Sequence, residues 1–291
     1  MKTLTPLAAA LLFAISGTTL AAENSATVTQ TGVGHTASAT QTGLFTSDNG
    51  IIQMQSDFFN RAYATQSAEN GSLINQQQSG AFNHSSVSQS IGSGNQVITD
   101  QSGAFNSAYA DQVFQFGSTV WIQQSDIGNK ASVKQLVGGG NDAVVTQSGI
   151  GNDASIYQVF SFGDTADVSQ FGFKNDLYAS QTGSANDLTL LQDGGLNDLS
   201  VDQEGLNNSG TFAQFGWGND GHLGQYGILN FAMITQDGFL NYVNVKQIGF
   251  NHSATVGQSG GFNKALVHQF GLSESATVSQ IGYGLTSIVN Q

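Results

Sequence analysis

The chain contains no cysteine and only one proline, Pro6, among its 291 residues. Without cysteine, disulfide bonds do not stabilise the folded chain. Proline has no amide hydrogen to give to a strand ladder, so a chain made of central β-strands would exclude it. From residue 7 onward, the composition therefore favours paired strands whose stability comes from stacking.

Charged residues are also scarce, at 9% of the chain, and acids outnumber bases to give a formal net charge of -13. Because nucleic acid and anionic membranes repel such a chain, we expect no nucleic-acid partner. Few charges together with 37 glycines are typical of disorder, but Val, Ile, Leu and Ala recur here at regular intervals. This regularity indicates an ordered fold.

The first residues have the pattern of a secretory signal peptide. Met1 and Lys2 precede an apolar run from Leu4 to Ile15, and small residues follow as far as Ala22. We expect cleavage after Ala21, with Ala22 as the alternative. The run is too short to span a membrane, and no later stretch is continuously apolar. The predicted organisation is a signal peptide at 1–21, then a repeat domain at 22–291 that is exported and does not span the membrane.

A glutamine recurs at almost constant intervals from Gln30 to Gln291. Preceding residues alternate in character, as in the segment that places Asn152, Ala154, Ile156 and Gln158 at every second position. A period of two predicts a β-strand with these four side chains on one face. In the regular part of the chain, the repeated glutamines are Gln147, Gln158, Gln170, Gln181, Gln192, Gln203, Gln214, Gln225 and Gln236.

Asparagine opens the inward face in 17 of the 24 repeat units, and His35 and His252 are among the residues that replace it. An unpaired buried amide would cost about 1 to 3 kcal/mol, whereas identical amides stacked one strand apart can satisfy each other. The same residues could instead be solvated surface polars, but they share strand parity with the apolar residues. We therefore expect inward amide ladders. Their asparagines include Asn141, Asn152, Asn175, Asn186, Asn197, Asn219 and Asn230.

The glutamine spacings show how many strands form one turn of the fold. Between Gln66 and Gln170 a spacing of twelve alternates with a spacing of eleven, so every second connection is longer by one. Odd and even connections must then lie on opposite edges, and one rung contains two strands. Its period is twenty-three up to Gln170 and twenty-two after it. The sequence predicts an all-β, cross-β, amyloid-like parallel β-solenoid of about twelve rungs, with strand n paired to strand n+2. The longer turns carry a glycine at the fifth position after the glutamine, at Gly71, Gly94, Gly117, Gly140 and Gly163.

The segment from Asn141 to Gln158 has the order Asn-x-Ala-x-x-x-Gln-x-Gly-x-x-Asn-x-Ala-x-x-x-Gln. It resembles the curlin repeat of curli, the extracellular functional amyloid fibres of bacterial biofilms. The resemblance implies a secreted, self-assembling structural subunit, not an enzyme, that serves adhesion and cell aggregation. It also implies an outer-membrane secretion pore with accessory chaperones and a nucleator subunit as partners.

Two alternatives and one question stay open from the sequence. A nucleator often ends in a basic repeat, whereas Leu285 to Gln291 contains no basic residue, so the major subunit is the expectation and the minor nucleator the alternative. A monomeric adhesive or ice-binding solenoid is the other class, although Thr27, Thr29, Thr40 and Thr65 form no single outward column by parity. The repeat begins at Asn24, leaving no distinct segment to address the chain to a pore.

No residue pattern indicates a catalytic, cofactor or metal site. Gly257 to Gly261 matches a hydrolase nucleophile string, but Ser259 occupies an ordinary turn position without a strand-to-helix context. The histidines lack paired metal-ligand spacing. One outward set stands out: Asp153, Asp176, Asp198 and Asp220 should stack in a column, either as a solvated charged edge or as gatekeepers that slow premature assembly.

Overall fold

The computed structural model describes residues 23–43 and 46–291. The expected signal peptide at residues 1–21 lies outside the described residues. All regular structure within them is β-strand. None of these residues forms a helix that could cross a membrane.

The described residues form two parallel sheets of twelve strands each, and successive strands alternate between the sheets. The first sheet contains β1 (Ser25–Val33), β3 (Gly50–Phe58), β5 (Leu73–Gln78), β7 (Gln96–Gln101), β9 (Thr119–Gln124), β11 (Asp142–Ile150), β13 (Thr165–Phe173), β15 (Asp187–Gly195), β17 (Ser209–Trp217), β19 (Phe231–Phe239), β21 (Ser253–Gly261) and β23 (Ser275–Tyr283). The second contains β2 (Thr36–Thr42), β4 (Arg61–Asn70), β6 (His84–Ser93), β8 (Ser107–Phe116), β10 (Lys130–Gly139), β12 (Asp153–Phe162), β14 (Asp176–Ser184), β16 (Asp198–Leu206), β18 (Asp220–Ile228), β20 (Tyr242–Phe250), β22 (Lys264–Leu272) and β24 (Thr286–Asn290). Strand n pairs with strand n+2, which confirms the predicted parallel β-solenoid.

Register follows from stacking like residues on like. Gln135 lies opposite Gln158, which in turn lies opposite Gln181. The register between β12 and β14 shifts after Gln158, where the rung becomes shorter by one residue. A one-residue irregularity in the turn therefore absorbs the change in period, and the strands themselves stay aligned.

The core lies between the sheets and consists of the two apolar positions of each strand, which are Ala, Val, Ile or Leu in most rungs. Its largest side chain, Phe212, is fully buried. Space for this ring comes from Gly221, where an added Cβ would lie 2.3 Å from it. Large and small residues therefore compensate each other, which keeps the core closely packed.

A column of glycines lets the turns stack as closely as the strands. Gly205, with a φ of +127°, is typical: a Cβ at this position would lie 1.9 Å from the carbonyl oxygen of Gly227 in the next rung. Only glycine accommodates both the positive φ and this approach. The glycine found at the second position after most glutamines is thus required by the spacing of the rungs.

Candidate functional site

The glutamines form two continuous columns at the ends of the core, one in each sheet. Each Nε2 donates to the Oε1 of the next glutamine in its sheet, for example from Gln147 to Gln170 at 2.6 Å and from Gln203 to Gln225 at 2.7 Å. In every such bond the donor lies on the earlier strand, so both columns have the same direction. The predicted residues Gln147, Gln158, Gln170, Gln181, Gln192, Gln203, Gln214, Gln225 and Gln236 are all at most 2% exposed.

The same amides also join the two sheets, a contact that the repeat pattern did not indicate. Nε2 of Gln203 donates to the carbonyl oxygen of Asp187 at 3.0 Å, and Nε2 of Gln214 donates to that of Asp198 at 2.8 Å. Each of these carbonyls belongs to a strand of the opposite sheet. Both amide hydrogens are used, one along the column and one across the core, so the glutamines clamp the sheets together.

The asparagines bond to the backbone as well as to one another, so their columns contain more than the side-chain amide ladder that the repeat pattern indicated. The Oδ1 of Asn152 accepts the backbone N–H of Asn175 at 3.0 Å, and the Nδ2 of Asn152 donates to the carbonyl of Ser148 at 2.9 Å. Asn175 Nδ2 also donates to Asn152 Oδ1 at 3.2 Å. The side chain thus closes its own turn and holds the turn above. The predicted residues Asn141, Asn152, Asn175, Asn186, Asn197, Asn219 and Asn230 are all at most 1% exposed.

Histidine replaces asparagine with the same pattern of bonds. His252 Nδ1 lies 3.3 Å from the backbone N–H of Glu274, and its Nε2 lies 3.1 Å from the carbonyl of Ile248. At His35 the corresponding distances are 3.2 Å to the N–H of Asn60 and 3.1 Å to the carbonyl of Thr31. One ring nitrogen accepts and the other donates, so a neutral imidazole fits this position.

Two carboxyl groups lie inside the longer turns. Glu69 is 1% exposed and extends over Gly92, which has no side chain to occupy that space. Ser72 Oγ donates to one of its oxygens at 2.7 Å. Burial raises the pKa of Glu69, and the hydrogen bonds from Ser72 and Asn95 oppose this. Sequence reasoning missed Glu69 because only the stacked turns reveal the space above a glycine.

Asp164 occupies the asparagine position of its turn and is fully buried. Its Oδ1 accepts the backbone N–H of Asn186 at 2.8 Å, whereas its Oδ2 has no hydrogen-bond partner among the described residues. Burial raises the pKa of Asp164 to about 6, against the smaller opposing effect of Asn186. This turn therefore holds a carboxyl group where neighbouring rungs hold neutral amides.

Asp153, Asp176, Asp198 and Asp220 stand opposite one another on successive strands of the second sheet. Burial raises the pKa of Asp176, and the neighbouring aspartates add to the shift. The pKa of Asp220 is raised mainly by burial too. Lys130 precedes Asp153 in the column, and its Nζ forms an ion pair with Asp153 Oδ2 at 2.9 Å. This ion pair offsets the negative charge of Asp153 at that end of the column. The repeat pattern alone could have indicated this ion pair, since Lys130 occupies the position of Asp153 in the preceding rung.

The serine of the nucleophile-like string and the threonines considered for an ice-binding face lie at ordinary strand positions. Ser259 belongs to β21, between Asp237 and Ile281 in its column. Of the threonines considered for an ice-binding face, Thr27 and Thr29 lie on β1, whereas Thr40 and Thr65 are partners in the other sheet. Among residues 23–43 and 46–291, no group of three or more His, Asp or Glu side chains is placed to hold a metal ion.

Each sheet is open at both ends within the described residues. β1 and β2 lie at one end and β23 and β24 at the other, and each has a single neighbouring strand. None of the four contains a charged residue. Edge strands of soluble proteins are commonly protected by charge, proline or a covering segment. These edges therefore present backbone groups and amide columns that a further strand can pair with.

A family model described as the curlin associated repeat matches four segments, at residues 163–194, 197–227, 230–260 and 253–282. Together these matches extend from the turn before β13 to the last strand but one, the part of the chain with the shorter rungs. A search of curated proteins finds no match to the chain. The match confirms the resemblance that the repeat pattern indicated.

Proposed function

Since the chain contains curlin repeats folded as a two-sheet β-solenoid, we propose that it is a secreted structural subunit that self-assembles into curli-like amyloid fibres. The observation that carries this proposal is the pair of open, uncharged sheet edges at each end of the described stack. Strands at such edges have unpaired N–H and C=O groups along their whole length. Another copy of the chain satisfies them with the same parallel pairing used inside the molecule.

The glutamine columns favour one orientation of the next molecule. At the first end, Gln30 and Gln41 donate into their columns, which leaves their Oε1 atoms as acceptors facing outward. At the other end, Gln280 and Gln291 receive the last column bonds. A copy that continues both columns places the final rung of one molecule against the first rung of the next. Repetition of this contact gives a polar fibre.

The wider biological role is part of the same proposal. Export would deliver the chain to the cell surface through an outer-membrane pore with accessory chaperones, and a nucleator subunit would start fibres there. The fibres would serve adhesion and cell aggregation in the biofilm matrix. The absence of basic residues from Leu285 to Gln291 favours the major subunit over the nucleator. A monomeric adhesive or ice-binding solenoid is less well supported, because the threonines named above are divided between two sheets.

The direct test is assembly of purified chain comprising residues 22–291 after removal of denaturant. We expect fibres in electron micrographs and shortening of the lag phase when preformed fibres are added as seeds. A chain that stays monomeric at high concentration and does not respond to seeds would contradict the proposal.

We further propose that the aspartate column slows assembly. Changing Asp153, Asp176, Asp198 and Asp220 together to Asn should shorten the lag phase at neutral pH and low salt, because each stacked pair of carboxylates repels by about 0.8 kcal/mol in water. Lowering the pH should shorten the lag of the parent. Because the pKa values of Asp176 and Asp220 are raised, this effect should begin at a higher pH than it would for ordinary aspartates. Added salt should act weakly in the same direction.

A matched control separates stacking from net charge. The double variant Asp176→Asn and Asp198→Asn removes two adjacent charges. The double variant Asp193→Asn and Asp237→Asn removes two charges that lie on either side of Phe215 in the other sheet. We expect the first to shorten the lag more than the second. Equal lags would assign these aspartates to general solvation of the surface.

A further inference from the structure

Tyr157 and Tyr178 form a pair of contacting rings on the outer face of the second sheet. Tyr157 lies on β12, and Tyr178 lies on the adjacent strand β14. Their ring centroids are 5.5 Å apart, and the ring planes make an angle of 35°. Both side chains point outward, because each falls between buried positions of its strand. The two phenols are therefore neighbours at the surface, one rung apart.

The register of the two strands explains why these rings meet. Tyr157 lies opposite Ser180, and Tyr178 lies opposite Ser155, so the tyrosines are diagonal neighbours. The two serines are small and leave the space between the strands to the rings. Side chains at the surface change rotamer rapidly, so the rings can turn until the carbon atoms next to their hydroxyl-bearing carbons meet.

No second close pair of tyrosine rings occurs within residues 23–43 and 46–291, which contain all seven tyrosines of the chain. Tyr109 belongs to the same column as Tyr178, but Lys134 separates it from Tyr157. The Nζ of Lys134 lies 5.9 Å from the ring centroid of Tyr109 and 5.6 Å from that of Tyr157. Tyr63 packs against a histidine ring instead. Contact between two phenols is thus a local feature of these two rungs.

We propose that Tyr157 and Tyr178 are a modification site that a one-electron oxidant converts to dityrosine. With hydrogen peroxide and a peroxidase as the oxidant, each phenol loses one electron and one proton, and one peroxide molecule accepts them all and becomes two waters. The two phenoxyl radicals join through a C–C bond between ring carbons ortho to the oxygens. The hydrogen on each of these carbons then moves to the oxygen of the same ring, which restores both hydroxyl groups.

The product is a covalent link between successive rungs of a chain that has no cysteine and therefore no disulfide. The link closes a loop from Tyr157 to Tyr178, so it restricts the unfolded chain as a disulfide would. Because both tyrosines belong to one chain, the link forms within a molecule and does not require assembly.

The test is oxidation of the folded chain of residues 22–291 with hydrogen peroxide and a haem peroxidase. We expect the blue fluorescence of dityrosine in the monomer band of a denaturing gel. Peptide mass mapping should find Tyr157 and Tyr178 in peptides joined with the loss of two hydrogen atoms. The oxidised chain should also unfold at a higher denaturant concentration than oxidised Tyr178→Phe. This variant is the reference because peroxide also converts exposed methionines to sulfoxides.

Two phenylalanine variants distinguish the pair from exposed tyrosines in general. Tyr109 is 36% exposed and Tyr178 is 41% exposed, and both lie in the same column. Tyr178→Phe should lose nearly all of the dityrosine in the monomer band, whereas Tyr109→Phe should keep the parental yield. Equal losses in the two variants, or dityrosine confined to bands larger than the monomer, would overturn the proposal.

Discussion

Replacing Gln203 by alanine is expected to lower the free energy of unfolding by about 3 to 5 kcal/mol and to slow assembly strongly. The change removes one hydrogen-bond partner from each of three groups: Gln181 Nε2 at 3.0 Å, Gln225 Oε1 at 2.7 Å and the carbonyl oxygen of Asp187 at 3.0 Å. Each such group costs about 1 to 3 kcal/mol, and some relaxation of the neighbours reduces the sum. Denaturant unfolding of the unassembled chain measures the effect.

Two variants show which property of the glutamine matters. Gln203→Met keeps most of the side-chain volume but lacks the amide, so it should destabilise the chain nearly as much as alanine does. Ser200→Ala changes a partly exposed side chain on the outward face of the same strand and should stay within about 0.5 kcal/mol of the parent. If Gln203→Met retained the stability of the parent, packing rather than hydrogen bonding would account for the column.

Replacing Asp164 by asparagine is expected to stabilise the chain at neutral pH. Its carboxyl group has a pKa of about 6 in the fold against 3.8 ordinarily, which corresponds to about 3 kcal/mol of destabilisation once it ionises. Neighbouring groups relax around a buried charge, so we expect Asp164→Asn to recover roughly half of this penalty. In Asp164→Asn, an Nδ2 donor replaces the unpartnered Oδ2 acceptor. In the preceding rung, the corresponding Nδ2 of Asn141 donates to the carbonyl of Ser161 at 2.9 Å.

The stabilising effect of Asp164→Asn should depend on pH. Below pH 3.8 the carboxyl group is protonated in both the folded and unfolded chain, and Asp164 carries no ionisation penalty. Between 3.8 and about 6 the unfolded chain loses its proton first, so the stability of the parent falls as the pH rises. The advantage of Asp164→Asn should therefore grow across this window and stay constant above it. Unfolding curves for both proteins at pH 4 and pH 7 test this, and an advantage that does not change with pH would contradict the buried carboxylate.

Periodicity was sufficient to predict the two sheets, their parallel pairing and the inward face. A residue type that returns at one position in every rung, such as the glutamine at Gln158 and Gln181, must stack on itself if the strands are in register. Alternating turn lengths then place successive strands in different sheets. These features depend on the order of residues along the chain, which the sequence displays directly.

The bonds across the core could not be predicted in the same way. The contact from Gln203 to the carbonyl of Asp187 depends on the stagger between the sheets, which no spacing within one strand reveals. Glu69 was missed for a related reason, since its side chain occupies space left by Gly92 in the next rung. Phe59, Phe82 and Phe105 stack on one another in successive rungs, with ring centroids 5.3 Å and 5.1 Å apart. This stacking did have a sequence signal, a phenylalanine at the same turn position of successive rungs, but the position lies outside the inward face that the repeat defines.

Assembly through the open sheet edges is tested most directly by two lysine substitutions on β24. Val289 packs against the core, whereas the adjacent Ile288 is 61% exposed. Val289→Lys therefore places a charge inside the contact between successive molecules, and Ile288→Lys places the same charge on the outer face. An inward charge at an edge strand opposes strand addition.

Fibre assembly of the parent and both variants, followed by X-ray diffraction of aligned fibres, is the decisive measurement. We expect the parent and Ile288→Lys to form fibres with a meridional reflection at ~4.8 Å, the spacing between strands along the stack, and Val289→Lys to remain largely unassembled. Equal assembly of Val289→Lys and Ile288→Lys, or parent fibres without this meridional reflection, would contradict assembly through the open sheet edges.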